Sequence, residues 1–180
     1  MIKMIAPGHG PVCARPEFIL SLYRQWASDE TRPEVIIPYL SMYESTAKMV
    51  AYLVDRLMEK GMSVQPFNVA DLDSGRFSSA LVEASTVVFA SPTVLNGPHP
   101  AMAYAAYLSN VLRPKTKYAA IIGSYGWGTG MPDSLAAMLP NLNVKWFEQI
   151  NVGGTAKAED FVALDRLVTD ICEANGVAVS

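Results

Sequence analysis

Two uninterrupted apolar runs, TVVFAS (86–91) and KYAAIIGS (117–124), constrain the fold of this chain most. A strand with one wet face alternates apolar and polar residues. A strand apolar at nearly every position is covered on both faces, which points to a parallel sheet between helical layers. Each run is followed by a segment with helical spacing. The same alternation extends outward, with strands expected at 35–40, 62–68 and 143–150 and helices at 46–60, 76–84, 99–112, 132–139 and 157–174. Met49, Val50, Leu53, Leu57 and Met58 form the apolar stripe of the first of these helices, and Gly61 ends it. Five strands alternating with five helices predict an α/β fold, a doubly wound five-stranded parallel sheet with helices on both faces. Pro38 inside the first strand predicts an irregular or edge position, because it has no N–H to give to a ladder.

Residues 1–33 read differently. MIKMIA is strand-like and PGHGPVCARP is turn-rich. A helix then starts at Pro16, with Phe18, Ile19, Leu22, Tyr23 and Trp26 on one face. SDETRPE reads as a linker into the alternating region. A length of 180 residues suits one domain, or one domain with an appendage.

Several function classes are disfavoured. The net charge is −3 with no basic block, so neither nucleic acid nor an anionic membrane is an expected partner. No apolar run reaches the roughly 18 residues of a membrane span, and the N-terminus lacks a signal-peptide layout. Cys13 and Cys172 form no CxxC pair and read as reduced thiols, so a cytoplasmic protein is expected. His9 and His99 are the only imidazoles, too few for a His-rich metal site. No metal ligand, general base or covalent nucleophile is expected.

Ligands of open parallel sheets bind at the carboxyl ends of the strands. Three loops there carry residues that core packing does not use. Ser41, Met42, Tyr43, Glu44, Ser45 and Thr46 lie between a strand and a helix N-terminus, where backbone N–H groups and the helix dipole attract an anion. The loop has neither the lysine of a triphosphate site nor a GxGxxG, so one phosphate monoester fits it best. Helix capping by Ser45 or Thr46 is the plainer alternative. SPTVLNGPHP (91–100) is stiff and uncharged, and could lie along a heteroaromatic ring. GSYGWGTGMPD (123–133) carries Tyr125 and Trp127 between glycines that permit close approach or positive φ. One phosphate and a large neutral planar ring together describe FMN.

The pattern SMYEST…SPTVLN…GSYGWGTG resembles the flavodoxin-like domain of flavodiiron proteins, the A-type flavoproteins that reduce dioxygen or nitric oxide. The resemblance implies a flavodoxin-like strand order, 2-1-3-4-5, over residues 34–180. It makes 1–33 the remnant of a preceding metallo-β-lactamase-like di-iron domain plus a linker helix, with His9 matching one iron ligand. The rest of that domain is outside the match. The implied FMN site comprises Ser41, Met42, Tyr43, Ser45 and Thr46, then Ser91, Pro92, Thr93, Val94, Leu95 and Asn96, then Ser124, Tyr125, Gly126, Trp127 and Gly128. Glu44 departs from the family, where glycine or a small polar residue is common, and Lys48 could pair with it. The first strand, without its sheet, would be disordered or paired with another chain.

The function so implied is electron transfer. A rubredoxin-like or reductase donor would reduce FMN, and a di-iron domain, across a head-to-tail homodimer, would accept the electrons. The second loop carries no fixed charge and the third only Asp133 at its end, which predicts a less negative second reduction step than in flavodomains with acidic flavin loops. Two other readings share the fold. One is a stand-alone NAD(P)H-dependent FMN quinone or flavin reductase. The other is a non-enzymatic module that has lost FMN.

Overall fold

A computed structural model of the chain describes residues 2–178. The chain divides into two units, Met1–Glu30 and Thr31–Ser180. In the first unit MIKMIA does not form a strand. It makes a single antiparallel bridge, in which Ile5 and Cys13 exchange backbone hydrogen bonds of 3.0 and 2.8 Å. The bridge gives Ile5 a local partner; Met1 lies outside the described residues. Helix α1 (Pro16–Ala27) follows, with proline in its first turn where a missing N–H is harmless. Tyr23 and Trp26 meet edge-to-face, with ring centroids 5.5 Å apart.

The second unit holds the sheet. Its elements are β1 (Arg32–Tyr39), α2 (Ser45–Glu59), β2 (Ser63–Asn68), α3 (Ser74–Leu81), β3 (Ala84–Val94), β4 (Gly97–Pro98), α4 (Pro100–Leu112), β5 (Tyr118–Tyr125), α5 (Met131–Ala137), β6 (Lys145–Trp146), β7 (Ile150–Gly153) and α6 (Ala158–Ala174). The sheet order is β2-β1-β3-β5-β6, with β7 also on β5, so five positions run in the expected order 2-1-3-4-5. All of these pairings are parallel; only the short hairpin β3–β4 is antiparallel.

Alternate residues of each central strand face opposite layers. Ile36, Phe89 and Ile121 pack with Phe77, Met102 and Leu135 from α3, α4 and α5. Val35, Val88 and Ile122 pack with Leu53, Leu57, Leu164 and Ile171 from α2 and α6. Burying one such Leu or Ile is worth about 1.5–3 kcal/mol, which is why the apolar runs determine this geometry.

Four expectations need correction. β1 starts at Arg32 and is not an edge strand: it lies between β2 and β3, and Pro38 is buried opposite Phe67. Burial on both faces outweighs one missing ladder bond. Helix α3 covers 74–81 rather than 76–84, because the Asp73 side chain accepts the Arg76 N–H at 3.0 Å and starts it early. β3 continues through Val94, so residues 91–94 are strand rather than loop. The fifth strand is broken into β6 and β7, with Glu148 and Gln149 exposed between them. An edge strand has one neighbour only, so a local interruption disturbs one ladder rather than two.

Candidate functional site

The phosphate-cradle candidate begins where β1 ends. Glu44 caps α2 in the left-handed conformation, at φ 64°, and its side chain makes no capping bond. The turn is closed by Ser45 N–H donating to Tyr43 O at 2.8 Å. Among the described residues the N–H groups of Met42, Tyr43, Glu44, Thr46 and Ala47 find no protein acceptor. A run of free N–H donors ahead of a helix N-terminus is an anion nest.

The hydroxyls do not cap the helix, so the simpler alternative fails. Ser45 Oγ donates to Gly154 O at 2.6 Å, and Thr46 Oγ1 lies 3.2 Å from Ser124 Oγ. Both bonds tie the first turn of α2 to the carboxyl ends of β5 and β7. Glu44 is exposed, and among the described residues no ion pair joins it to Lys48. Lys48 therefore does not neutralise it.

The second and third loops brace one another. Leu95 and Asn96 take φ 48° and 65°, so the β3–β4 hairpin turns through two left-handed residues. That is the geometry whose twist suits a two-residue hairpin. Asn96 Oδ1 accepts the Gly130 N–H at 3.1 Å. A Cβ on Gly128 would come 2.8 Å from that same oxygen, and one on Gly123 would come 2.5 Å from Ser91 O and collide with the Met131 methyl. None of Gly123, Gly126, Gly128 and Gly130 has positive φ. Gly123, Gly128 and Gly130 serve close approach, whereas a Cβ on Gly126 would meet nothing, and the left-handed positions around the cavity fall on Glu44, Leu95, Asn96 and Gly154.

The three loops enclose a cavity of about 280 Å³ at the carboxyl edge of the sheet. It is lined by Ser41, Met42, Tyr43, Ser45 and Thr46, by Pro92 and Thr93, and by Ser124, Tyr125 and Gly126. Six expected residues do not line it: Ser91, Val94, Leu95, Asn96, Trp127 and Gly128. Ser91 is fully buried, and its hydroxyl donates to Pro92 O and accepts the His99 N–H. Leu95 and Trp127 stand out into solvent at 88% and 80% exposure, on either side of the Asn96 brace. Gly154 and Thr155, which also line the cavity, escaped sequence reasoning. Their signal was the glycine pair 153–154 after the last strand, at the sheet edge where ligands bind.

No charged side chain lines this cavity. The Ser41 Oγ and Thr93 Oγ1 atoms are buried there without any hydrogen-bond partner. An unpaired buried hydroxyl costs about 1–3 kcal/mol, so two on one cavity wall call for a polar ligand. Free N–H donors with the orphaned Ser41 hydroxyl, then the orphaned Thr93 hydroxyl, then exposed aromatics at the rim suit a phosphate, a polyol chain and a flat ring in turn. These residues fit FMN. Among the described residues no cluster of His, Cys, Asp or Glu could hold a metal ion.

The resolved pKa shifts lie elsewhere. The Asp165 carboxylate holds the Tyr52 hydroxyl and the Arg56 guanidinium above their usual values, and burial pushes the Cys172 thiol up. They belong to the contact between α2 and α6 and to the core.

No protein-family model matches the chain. It is 34% identical over 130 residues to a nitric oxide reductase of Moorella thermoacetica, covering 72% of this chain and 33% of that protein. The rubredoxin oxygen:oxidoreductase of Desulfovibrio gigas superposes with a TM-score of 0.89 at 25% identity, over 97% of this chain and 44% of that one. The flavodiiron protein of Giardia intestinalis gives 0.82 at 22% identity, over 97% and 46%. An archaeal flavodoxin gives 0.69 at 22% identity, over 79% of this chain and 99% of that one. The chain therefore spans less than half the length of the reductase relatives and nearly all of a flavodoxin.

Proposed function

The chain is homologous to the flavodoxin-like portion of flavodiiron proteins, and from that premise we propose that it binds FMN and relays electrons. The donor would be a rubredoxin-like or reductase partner. The acceptor would be a di-iron oxygen or nitric oxide reductase centre lying outside the flavodoxin-like unit. Residues 1–33 would then derive from the domain that carries such a centre, with His9 at a ligand position.

FMN, when bound, supplies one- and two-electron transfer. The chain's own residues supply position and electrostatics. The N–H groups of Met42, Tyr43, Glu44, Thr46 and Ala47 and the α2 dipole would hold the phosphate without a lysine. Ser41 and Thr93 satisfy their hydroxyls on the ligand. Tyr43 and Trp127 offer ring faces at the rim, while the Asn96–Gly130 bond keeps the second and third loops at a set spacing. With no charged residue on the cavity wall, the protein adds no local repulsion as the ring gains electrons.

The observation that carries this reading is the pair of orphaned hydroxyls, Ser41 and Thr93, on the wall of a cavity built by all three loops. The test is titration of the apoprotein with FMN and with riboflavin, followed by fluorescence quenching. FMN is expected to bind at least tenfold tighter than riboflavin. Ser41→Ala should weaken FMN about tenfold, in line with one lost hydrogen bond to a charged group, and leave riboflavin nearly unchanged. A protein that quenches neither ligand overturns the proposal. Spectroelectrochemical titration of the loaded protein checks the electrostatics. The second reduction step should be less negative than in flavodomains with acidic flavin loops, and an equally negative value would refute the neutral-rim account.

A further inference from the structure

The loop that follows β5 is held by two asparagines on one peptide unit. Asn96 Oδ1 accepts the Gly130 N–H at 3.1 Å, and Asn151 Nδ2 donates to Thr129 O at 3.3 Å. That N–H and that carbonyl belong to the same trans peptide, whose two polar groups point in opposite directions. The asparagines come from opposite sides as well. Asn96 sits in the β3–β4 hairpin and Asn151 on β7, and β3 and β7 are the strands that flank this end of β5.

The outgoing limb of the loop is tied separately, by Gly154 N–H donating to Tyr125 O at 2.8 Å. Among the described residues Gly126, Trp127 and Gly128 make no hydrogen bond. The place of this apex, and of the exposed Trp127 on it, is therefore set by the peptide that the two asparagines hold.

Asn151 makes its contact at a cost to the fold. Its Nδ2 faces Thr129 O, because two carbonyl oxygens would repel there. Oδ1 is then turned towards Gly123, on which a Cβ would come within 3.3 Å of it, and it is buried without a hydrogen-bond partner. The unpartnered oxygens of Ser41 and Thr93 line the cavity, where a ligand satisfies them; Asn151 does not line it. A buried acceptor left unpaired lowers stability, and an apolar side chain would remove that loss. Asn151 thus weakens the strand that carries it, and its side-chain bond goes to the loop beside the cavity. Residues that oppose stability in this way gather around functional sites.

We propose that Asn151 is a positioning residue: with Asn96 it clamps the 129–130 peptide and so sets the Gly126–Gly128 apex against the ring of the bound flavin. The effect on the ring rests on the FMN reading above, whereas the clamp on the loop does not. Asn151 touches no ligand itself. It acts at the ring end of the cavity, away from the phosphate cradle, so its loss weakens FMN, riboflavin and the bare ring alike.

The test removes the amide and reads stability, loop motion and ring binding together. In a Trp26→Phe, Trp146→Phe background Trp127 is the only tryptophan, and its emission anisotropy reports the apex in the apoprotein. Asn151→Val should melt at the same temperature as its parent or higher, and its Trp127 anisotropy should fall. With the native tryptophans, its affinity for FMN, riboflavin and lumiflavin should drop by one common factor of about five, the scale of a lost hydrogen bond. Asn96→Gly, which keeps the left-handed backbone and loses the acceptor, should reproduce the loosening, and Asn96→Asp, which keeps the acceptor, should not. The two losses should not add, because either one frees the same peptide. If Asn151→Val fails to fold, Asn151→Ala takes its place. A lower melting temperature with unchanged Trp127 anisotropy makes Asn151 a strut of β7 and overturns the proposal, as does weakening confined to FMN. If the parent chain binds no flavin, the FMN reading fails, while the anisotropy still decides whether the clamp exists.

Discussion

Single backbone positions decide whether the site can exist. Gly123 lies where β5 passes β3, and any Cβ there meets Ser91 O at 2.5 Å, a backbone atom held in the ladder. Gly123→Ala should lower stability by about 1–3 kcal/mol, read from the midpoint of urea unfolding. Glu44 is the reverse case. It holds φ 64° without a capping bond, a conformation that strains a non-glycine residue by about 1 kcal/mol or more. Glu44→Gly should raise the urea midpoint by the equivalent of roughly 0.5–1 kcal/mol. Glycine would suit this position for a backbone reason: the turn needs a left-handed residue. At this scale the sequence revealed residue types but not their partners. Ser45 and Thr46 read as phosphate donors or caps, yet their hydroxyls bond Gly154 and Ser124, which are 109 and 78 residues away in sequence.

Elements meet through contacts that periodicity does not disclose. Tyr52 on α2 donates to Asp165 Oδ1 on α6 at 2.9 Å, and Arg56 reaches the same oxygen at 3.1 Å. The carboxylate raises the Tyr52 pKa above 10.0. In the unfolded chain Tyr52 ionises near 10, so the stabilisation from its neutral hydroxyl is complete below that pH. It is lost as pH rises through the higher folded value. Tyr52→Phe should therefore be less stable than the parent chain at pH 8, and the gap should narrow at still more alkaline pH, by thermal melts across that range. The strands and helices themselves were legible, because core-facing apolar residues repeat every second or every third and fourth position. Two boundaries were not. The hairpin that carries β3 on to Val94 depends on two left-handed residues, Leu95 and Asn96, and Leu gives no sign of that conformation. The break between β6 and β7 depends on β5 alone for its pairing.

The whole molecule places its cavity at the carboxyl edge of a sheet whose two core layers draw entirely on residues of the unit Thr31–Ser180. A chain shortened to residues 31–180 should melt within a few degrees of the full chain and bind FMN within about twofold of it, by calorimetry and fluorescence quenching. A large drop in either would show that the first unit completes the fold. The sequence by itself determined the α/β class, the order of the main elements, and the three loops that line the cavity. These follow from hydrophobic periodicity and from local turn chemistry, which act over a few residues. Only the tertiary structure decided which hydroxyls remain unpaired, that Ser91 is buried while Thr93 faces the cavity, and that Gly154 and Thr155 complete the wall. Those outcomes depend on strand register and on contacts between distant loops, where a shift of one residue exchanges the buried side chain for the exposed one.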